Sequence, residues 1–384
     1  MTHIFQKRVS VMLIAISCCL SSLVTYAQDS NELVKVGDID VIINPVAGSD
    51  ITEVLAAEIG DYQVNEIFIG LENGASYTIS KSLVVPGNLT IRCGGLATID
   101  ASNLTDPFIV LDGSWQFVKK ADDTYSDHYL IDIVNLEGVQ LVGLKNSFIK
   151  DNQKTLLEKL EISNSIIEMP DNNKDVIDFN GKGYVGKVLV AASTIWAKDK
   201  NTGFFAQYGS RPKNVNGDWD QEFDVENSTI VNIANGRNFN DMKQNGTAQN
   251  VYTIKNNLFV NCGRKGNVIV GFNKGQTSAT PVWDVDGNAF NWDGEDVGDA
   301  EVEKANQKDG EDIVKNTVAG VVTFKDLKNG NLNGTFTCDT EPKKKLGHSY
   351  WTLEYSVPTA LKDLKVRQLN NVIYNPAGQR INSL

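Results

Sequence analysis

One short phrase recurs six times in this chain, at Leu144–Ile149, Ile162–Ile167, Val190–Ile195, Val225–Ile230, Ile254–Phe259 and Val285–Phe290. Each copy begins and ends apolar, carries a small or Asn-type residue third and has Ser or Asn fourth (Ala289 then Phe290 close the last copy). The third positions fall at 146, 164, 192, 227, 256 and 287, in steps of 18, 28, 35, 29 and 31. A roughly 20- to 40-residue period made of β-formers and Asn turns is the mark of stacked repeats. Few other folds would write one phrase so often.

The residue types say what each copy does. Val, Ile, Thr and Phe fit a pleated surface and favour strands. The third position reads Asn, Asn, Ala, Asn, Asn, Gly. Asn and Gly reach left-handed backbone cheaply, so this position predicts a tight bend between two strands. If each phrase belongs to one coil, equivalent residues stack roughly 4.8 Å apart. The Asn amides of the third column can then hydrogen-bond along the stack. Uneven steps follow, because the bend is fixed while the far side of each coil carries loops of any length. A β-sandwich of many short strands is the alternative, and it predicts turns without one recurring phrase.

Further extended runs lie between the phrases, at Asp175–Phe179, Gly203–Ala206 and Asn267–Phe272. Upstream, Leu89–Ile91 and Ala97–Ile99 read as strands of earlier coils. The expected architecture is all-β, a parallel β-helix (a solenoid) with an N-terminal helical cap. The cap spans 28–75 and contains a short helix over Ser49–Ile59, started by Asp50 and Thr52. It would seal the first coil, whose open strand edge is otherwise a template for aggregation. The β-helix spans 76–351, with Val321–Phe324 and Gly334–Cys338 as its last strands, and a tail covers 352–384. Residues 294–316 read as an acidic exposed excursion or a short helix, and Val372–Ile381 as a strand, a turn and the start of a second strand.

Segment 1–27 has the layout of a secretory signal: Lys7 and Arg8, then the apolar run Val9–Val24, then Thr25-Tyr26-Ala27. A membrane anchor or a lipid-modified Cys18 or Cys19 are the competing readings. Ser17, Ser21 and Ser22 dilute the run, and Ala15-Ile16-Ser17 matches a lipoprotein signal poorly. Cleavage after Ala27 takes two cations and no acids from the 384-residue chain, so its formal charge moves from −12 to −14. The expected location is secreted, periplasmic or at the cell surface, with no transmembrane span left after cleavage. Such an acidic surface does not suit nucleic acid. The mature cysteines, Cys93, Cys262 and Cys338, are odd in number and widely spaced, which argues for buried thiols over a disulfide framework or a zinc site.

The phrases, most clearly Val225–Val231, resemble those of the pectin-lyase-like superfamily of right-handed parallel β-helices. More narrowly the chain is similar to secreted Gram-negative β-helix proteins of unknown function that occur with polysaccharide-utilisation systems. The stretch Leu346–Trp351 is similar to the Gly-Asp-Pro-Arg-Trp-type ending of those proteins, with Gly347 and Trp351 matching and His348-Ser349-Tyr350 departing. The tail Ile373–Ile381 looks like the start of a C-terminal module common in such secretomes. This likeness covers roughly 76–351. It implies right-handedness and a polysaccharide or oligosaccharide partner, and says little about chemistry.

Glycoside hydrolysis needs paired carboxylates. The ordered motifs of polygalacturonase-like members do not occur here: Asp122-Asp123 comes too early, and Gly347-His348-Ser349 too late and without its Asp. A lyase acting on a uronic-acid polymer needs a cation or calcium against the carboxylate, and a base near the proton removed. The candidate bases are Arg211, Arg237, Arg264 and Lys265; of these Arg237, Arg264 and Lys265 follow successive phrases by similar offsets. Candidate calcium ligands are Asp218, Asp220, Glu222 and Asp224, then Asp284 and Asp286. The stronger explanation of the basic set is a solvated turn, and of the Asp/Glu run at 218–226 an exposed loop. Trp196, Tyr208 and Trp219 are candidates to stack on sugar rings, whereas at least one of Phe204 and Phe205 is expected inside the coil. The reading is a glycan-binding β-helix, with polysaccharide lyase as the alternative.

Overall fold

A computed structural model describes residues 38–59, 63–112, 117–120, 124–179, 182–209, 221–242, 250–264, 282–297, 314–338 and 346–348, with strand segments at 353–356, 373–374 and 380–381. The expected signal, 1–27, lies outside the described residues, as do Arg211, Asp218, Trp219, Asp220, Lys265 and the run Asn267–Phe272. The described protein is all-β apart from the helix Ile51–Ile59 and a single helical turn at Leu327–Asn329. Asp50 starts the longer helix by accepting the Thr52 and Glu53 backbone N–H groups at 2.8 and 3.3 Å. Ile51 and Leu55 of this helix are buried in the core.

Strands stack in parallel in three rows. The first row runs from Asp38–Ile43 through Gln63–Leu71, Asn88–Asp100, Tyr125–Val142, Thr155–Ser163, Tyr184–Ala191, Gln221–Glu226, Asn250–Lys255 and Val282–Asp286 to Val314–Lys315. The second includes Ser76–Thr78, Ile166–Met169, Thr194–Ala197, Thr229–Val231, Leu258–Val260 and Ala289–Trp292. The third holds Leu83–Val85, Ile109–Leu111, Ile149–Asp151, Ile177–Asp178, Ala206–Tyr208 and Asn240–Met242. Parallel pairing thus begins at Asp38, upstream of the boundary at 76.

Register makes the core. In the first row Leu136, Ile162, Val190, Val225, Ile254, Val285 and Val314 pair in succession, and all are buried. A one-residue slip would turn the whole column outward, so burial fixes the register. Aromatic rings continue the stacking in the second row, where Phe259 and Phe290 lie 5.4 Å apart and nearly parallel.

The bends between first and second rows follow the phrase, with two corrections. Asn164, Ala192, Asn227, Asn256 and Gly287 all have left-handed backbone, with φ between 45° and 67°. Asn146 does not. Its phrase sits at the entrance to the third row, where the Phe108 N–H donates to the Ser147 carbonyl and the Asn146 amide donates to the Thr105 carbonyl. The matching bend is at Gly138, φ 69°, where a Cβ would lie 2.4 Å from the Cys93 carbonyl oxygen. The unusually short step from Asn146 to Asn164 is the trace of this difference. A further member stands at Asn316, φ 48°, whose amide donates to Asp286 at 2.7 Å.

The hydrogen-bonded column is the fourth position, not the third. A left-handed third residue throws its own side chain outward and turns the next one in. Ser165, Ser193, Ser228, Asn257 and Asn288 are fully buried. Each receives a backbone N–H from the segment before it: Val139, Ser165, Ser193, Ser228 and Asn257 donate at 2.8–3.2 Å. A second column marks the other end of the second row, where the Asn261 amide donates to the Asn232 side chain at 3.0 Å.

Val321–Phe324 and Gly334–Cys338 do not continue the rows. Gly320–Asp326 and Asn331–Cys338 pair antiparallel, and Leu353–Ser356 adds to them in parallel. Val322, Leu332 and Phe336 of this sheet cluster with Trp196, Val231, Leu258 and Val260 of the second row. The segment Leu346–His348 lies beside them, held by Gly347 N–H to the Asn256 carbonyl and His348 N–H to Thr229 Oγ1. Ile373–Tyr374 and Arg380–Ile381 pair antiparallel, as the two strands expected of the tail.

Candidate functional site

The third row places polar side chains where strand alternation turns them to solvent. Ile149, Ile177 and Ala206 are buried, and the next residue on each strand is half-exposed. Those next residues pair in order: Lys150 with Asp178, Asp178 with Gln207, Gln207 with Asp241. They form one polar line across four adjacent strands. The Gln207 amide donates to the Asp241 carboxylate at 3.3 Å.

Beside this line lies a second group. Phe205 is in the core, while Phe204 is half-exposed and carries the Arg237 guanidinium 3.3 Å above its ring. Arg237 also donates to the Thr202 carbonyl at 2.9 Å, which helps hold the cation over the ring. Asp175 accepts the Phe204 backbone N–H at 2.6 Å. Burial pushes the Asp175 carboxyl up to about 6; that N–H and Arg237 oppose the rise, and the charges of Asp178 and Asp241 add to it. Asp175 therefore shares an electrostatic neighbourhood with Arg237, Asp178 and Asp241. A carboxyl able to hold its proton near neutral pH, two further carboxylates, an amide and a clamped guanidinium can donate and accept hydrogen bonds at once. Such a mixture suits a hydroxyl-rich ligand.

Of the residues marked in the sequence, Arg237 belongs to this group. Gly236 N–H donates to the Gly263 carbonyl at 2.7 Å, so exposed Arg264 follows Arg237 on the adjacent segment. The stacking candidates fare differently. Trp196 is buried, because the antiparallel sheet of residues 320–338 covers the second row over it. Tyr208 is fully buried, packed edge-on to Tyr184 and Phe179, and burial raises its phenol well above the usual range. Neither ring is open to a groove. Asp224 is paired with Lys187 at 3.3 Å on the first row, and Lys187 also holds Glu222 at 2.5 Å. Lys255 similarly pairs with Asp284. Among the described residues no group of three or more His, Cys, Asp or Glu side chains is disposed to hold a metal ion.

Asp175, Asp178, Gln207 and Asp241 escape a reading of the sequence because nothing in their local spelling is unusual. Their signal exists only as register: Asp178 and Asp241 are far apart along the chain and become next-but-one neighbours through Gln207. Cys93 and Cys262 are buried free thiols, as their position after β runs predicts, and burial pushes Cys262 up to about 12. Among the described residues no helix is long and apolar enough to cross a membrane. Compared with protein-family models and with curated proteins, the sequence matches none.

Proposed function

We propose that the three rows are the faces of a right-handed parallel β-helix of the pectin-lyase-like kind, capped by the helix Ile51–Ile59. On this reading segment 1–27 exports the chain to the periplasm, the cell surface or beyond. There it serves a polysaccharide-utilisation system by binding a polysaccharide or oligosaccharide along the third row. One observation carries the reading: Asp178, Gln207 and Asp241 follow each other in register, with Arg237 clamped on Phe204 beside them. Polar groups repeating at roughly 4.8 Å offer a run of hydrogen-bonding positions to an extended hydroxylated chain.

Affinity electrophoresis through gels containing soluble plant and algal polysaccharides tests it. At least one polymer retards the mature protein, and Arg237→Ala or Asp241→Asn weakens that retardation about tenfold, the loss of one charge-assisted hydrogen bond. Equal retardation of wild type and both variants would remove the third row from the reading.

A second reading, β-elimination on a uronic-acid polymer, is favoured by the succession of Arg237 and Arg264 on adjacent segments. It predicts rising ultraviolet absorbance of the new C=C bond on alginate or polygalacturonate with calcium present, lost in Arg237→Ala and Arg264→Ala. A flat trace on both polymers sets it aside.

A further inference from the structure

A second surface carries its own chemistry. The strand Tyr125–Val142 begins ahead of the first row as half of an antiparallel ribbon with Phe117–Lys119, in which Phe117 pairs with Tyr129 and Lys119 with Tyr125. Lys120 N–H donates to the Thr124 carbonyl at 2.7 Å and closes the ribbon. Its two sides differ sharply. Val118 and Ser126 are buried. The opposite side presents Phe117, Tyr125, Asp127 and Tyr129.

Phe117 is 42% exposed and Tyr125 64% exposed. Among the described residues, these are the two aromatic side chains in the set of largely exposed large hydrophobics, and both stand on this one face. The Phe117 and Tyr129 rings lie 4.8 Å apart at 33°, forming a broad tilted platform. Between Tyr125 and Tyr129 in the same strand stands Asp127, ion-paired with Lys154 and 3.0 Å from His128 Nδ1. The Tyr129 backbone N–H donates to the Lys154 carbonyl, which fixes the Lys154 main chain beside that of Tyr129.

We propose that this ribbon face is a second carbohydrate-binding site, taking a sugar chain by stacking on Phe117, Tyr129 and Tyr125 and by hydroxyl hydrogen bonds to Asp127 and Lys154. The mixture selects the occupant. An apolar partner or a second copy of the chain would cover the rings but strip water from the Asp127–Lys154 pair, and removing charges from water is costly. A pyranose covers an aromatic face with its C–H groups and meets the adjacent charges with hydroxyls. Tyr125 and Tyr129 are separated by roughly 13 Å along the strand. That separation suits a chain of sugars more than a single ring. The site uses none of the third-row residues, so variants of one can lose binding while variants of the other keep it.

The test uses the mature protein in affinity gels containing xyloglucan, mixed-linkage β-glucan, galactomannan, polygalacturonate or alginate. Tyr125→Ala and Phe117→Ala are each expected to weaken retardation by about three- to tenfold on the polymer that retards wild type, the worth of one ring contact. Tyr125→Phe and Phe117→Tyr, which keep the rings, are expected to bind as wild type, and unchanged melting temperatures separate lost binding from lost folding. If both Ala variants bind as wild type while Asp241→Asn does not, the ribbon site is overturned and the third-row reading stands. If no polymer retards wild type, both fail. If size-exclusion chromatography shows a dimer that Tyr125→Ala abolishes, the occupant is a second copy and the carbohydrate assignment is wrong.

Discussion

Asn257 and Asn288 are locked into one buried column: Asn288 Oδ1 accepts both the backbone N–H and the side-chain amide of Asn257, each at 2.9 Å. Asn257 passes the pattern on, accepting the Ser228 N–H at 2.8 Å and donating to the Val225 carbonyl at 2.7 Å. Asn257→Ala would leave a buried N–H, a carbonyl and the Asn288 oxygen under-satisfied. Each such group costs about 1–3 kcal/mol. The expected loss is about 3–4 kcal/mol, whereas Ser228→Ala, which orphans one N–H, should cost about 1–2 kcal/mol. Urea unfolding followed by near-ultraviolet circular dichroism gives the comparison. Equal losses would mean that the column is not where stability is concentrated.

Ala192 occupies the left-handed bend that its equivalents fill with Asn or Gly, at φ 45°. For a residue with a Cβ and no local polar group this conformation costs about 1–2 kcal/mol. Glycine relieves that strain but gives back about 0.4–1 kcal/mol through the freer unfolded chain. Ala192→Gly is therefore expected to stabilise by about 0.5–1 kcal/mol, and Asn164→Ala to destabilise by a similar amount or more. Thermal melting of the two variants checks both signs, and a destabilising Ala192→Gly would refute the strain.

The contrast between these columns and the candidate site shows what a sequence can carry. Strand and bend are local, so Val, Ile and an Asn third residue are enough to place Asn164, Asn227 and Asn256. The Leu144–Ile149 phrase misleads because similar spelling serves a different corner, and only pairing distinguishes Asn146 from Gly138. The 320–338 sheet misleads for a related reason: its strands are spelled like any others, and nothing local says that they turn antiparallel and cover Trp196. The polar line of Asp178, Gln207 and Asp241 depends on the lengths of two intervening stretches, each of which includes first- and second-row strands. Arg237 is legible by its offset from the phrase, but its Phe204 perch requires the fold.

His348 is buried, with Nδ1 2.9 Å from Thr194 Oγ1, and burial pushes its imidazole down to about 4 from the usual 6.5. Between those values the unfolded chain takes up a proton that the folded chain refuses. Its contribution is therefore fully present above about pH 6.5 and is lost as pH falls toward 4. The loss is about 2–3 kcal/mol at one pKa unit per 1.36 kcal/mol. Asp175 and Asp151, both raised to about 6, act in the opposite direction over much of the same range, so wild type alone would conceal the effect. Comparison with His348→Asn, whose amide can still meet Thr194, isolates it. The stability advantage of wild type over the variant is expected to shrink by about 2–3 kcal/mol between pH 7.5 and pH 4.5. A difference independent of pH would show that His348 is not held neutral.

Asp175 is buried in the neighbourhood of Arg237. Its carboxyl, raised to about 6 against an ordinary 3.8, binds a proton in the folded state that the unfolded state releases. That penalises folding above pH 6 and fades as pH falls toward 4. Asp175→Asn keeps an oxygen to accept the Phe204 N–H, now 2.6 Å from the carboxylate, and removes the buried charge. It gives up the attraction to Arg237, so only part of the penalty is recovered. The variant is expected to be more stable than wild type by about 1–2 kcal/mol at pH 7.5 and no more stable at pH 4. A carboxylate kept in place at that cost is the pattern of a group retained for what it binds, so the same variant should lose affinity in the polysaccharide gels. Urea titrations at the two pH values, run beside those gels, separate the outcomes. A variant more stable at pH 7.5 with unchanged retardation would make Asp175 a bystander to binding, and one less stable at pH 7.5 would mean that the pairing with Arg237 outweighs the burial.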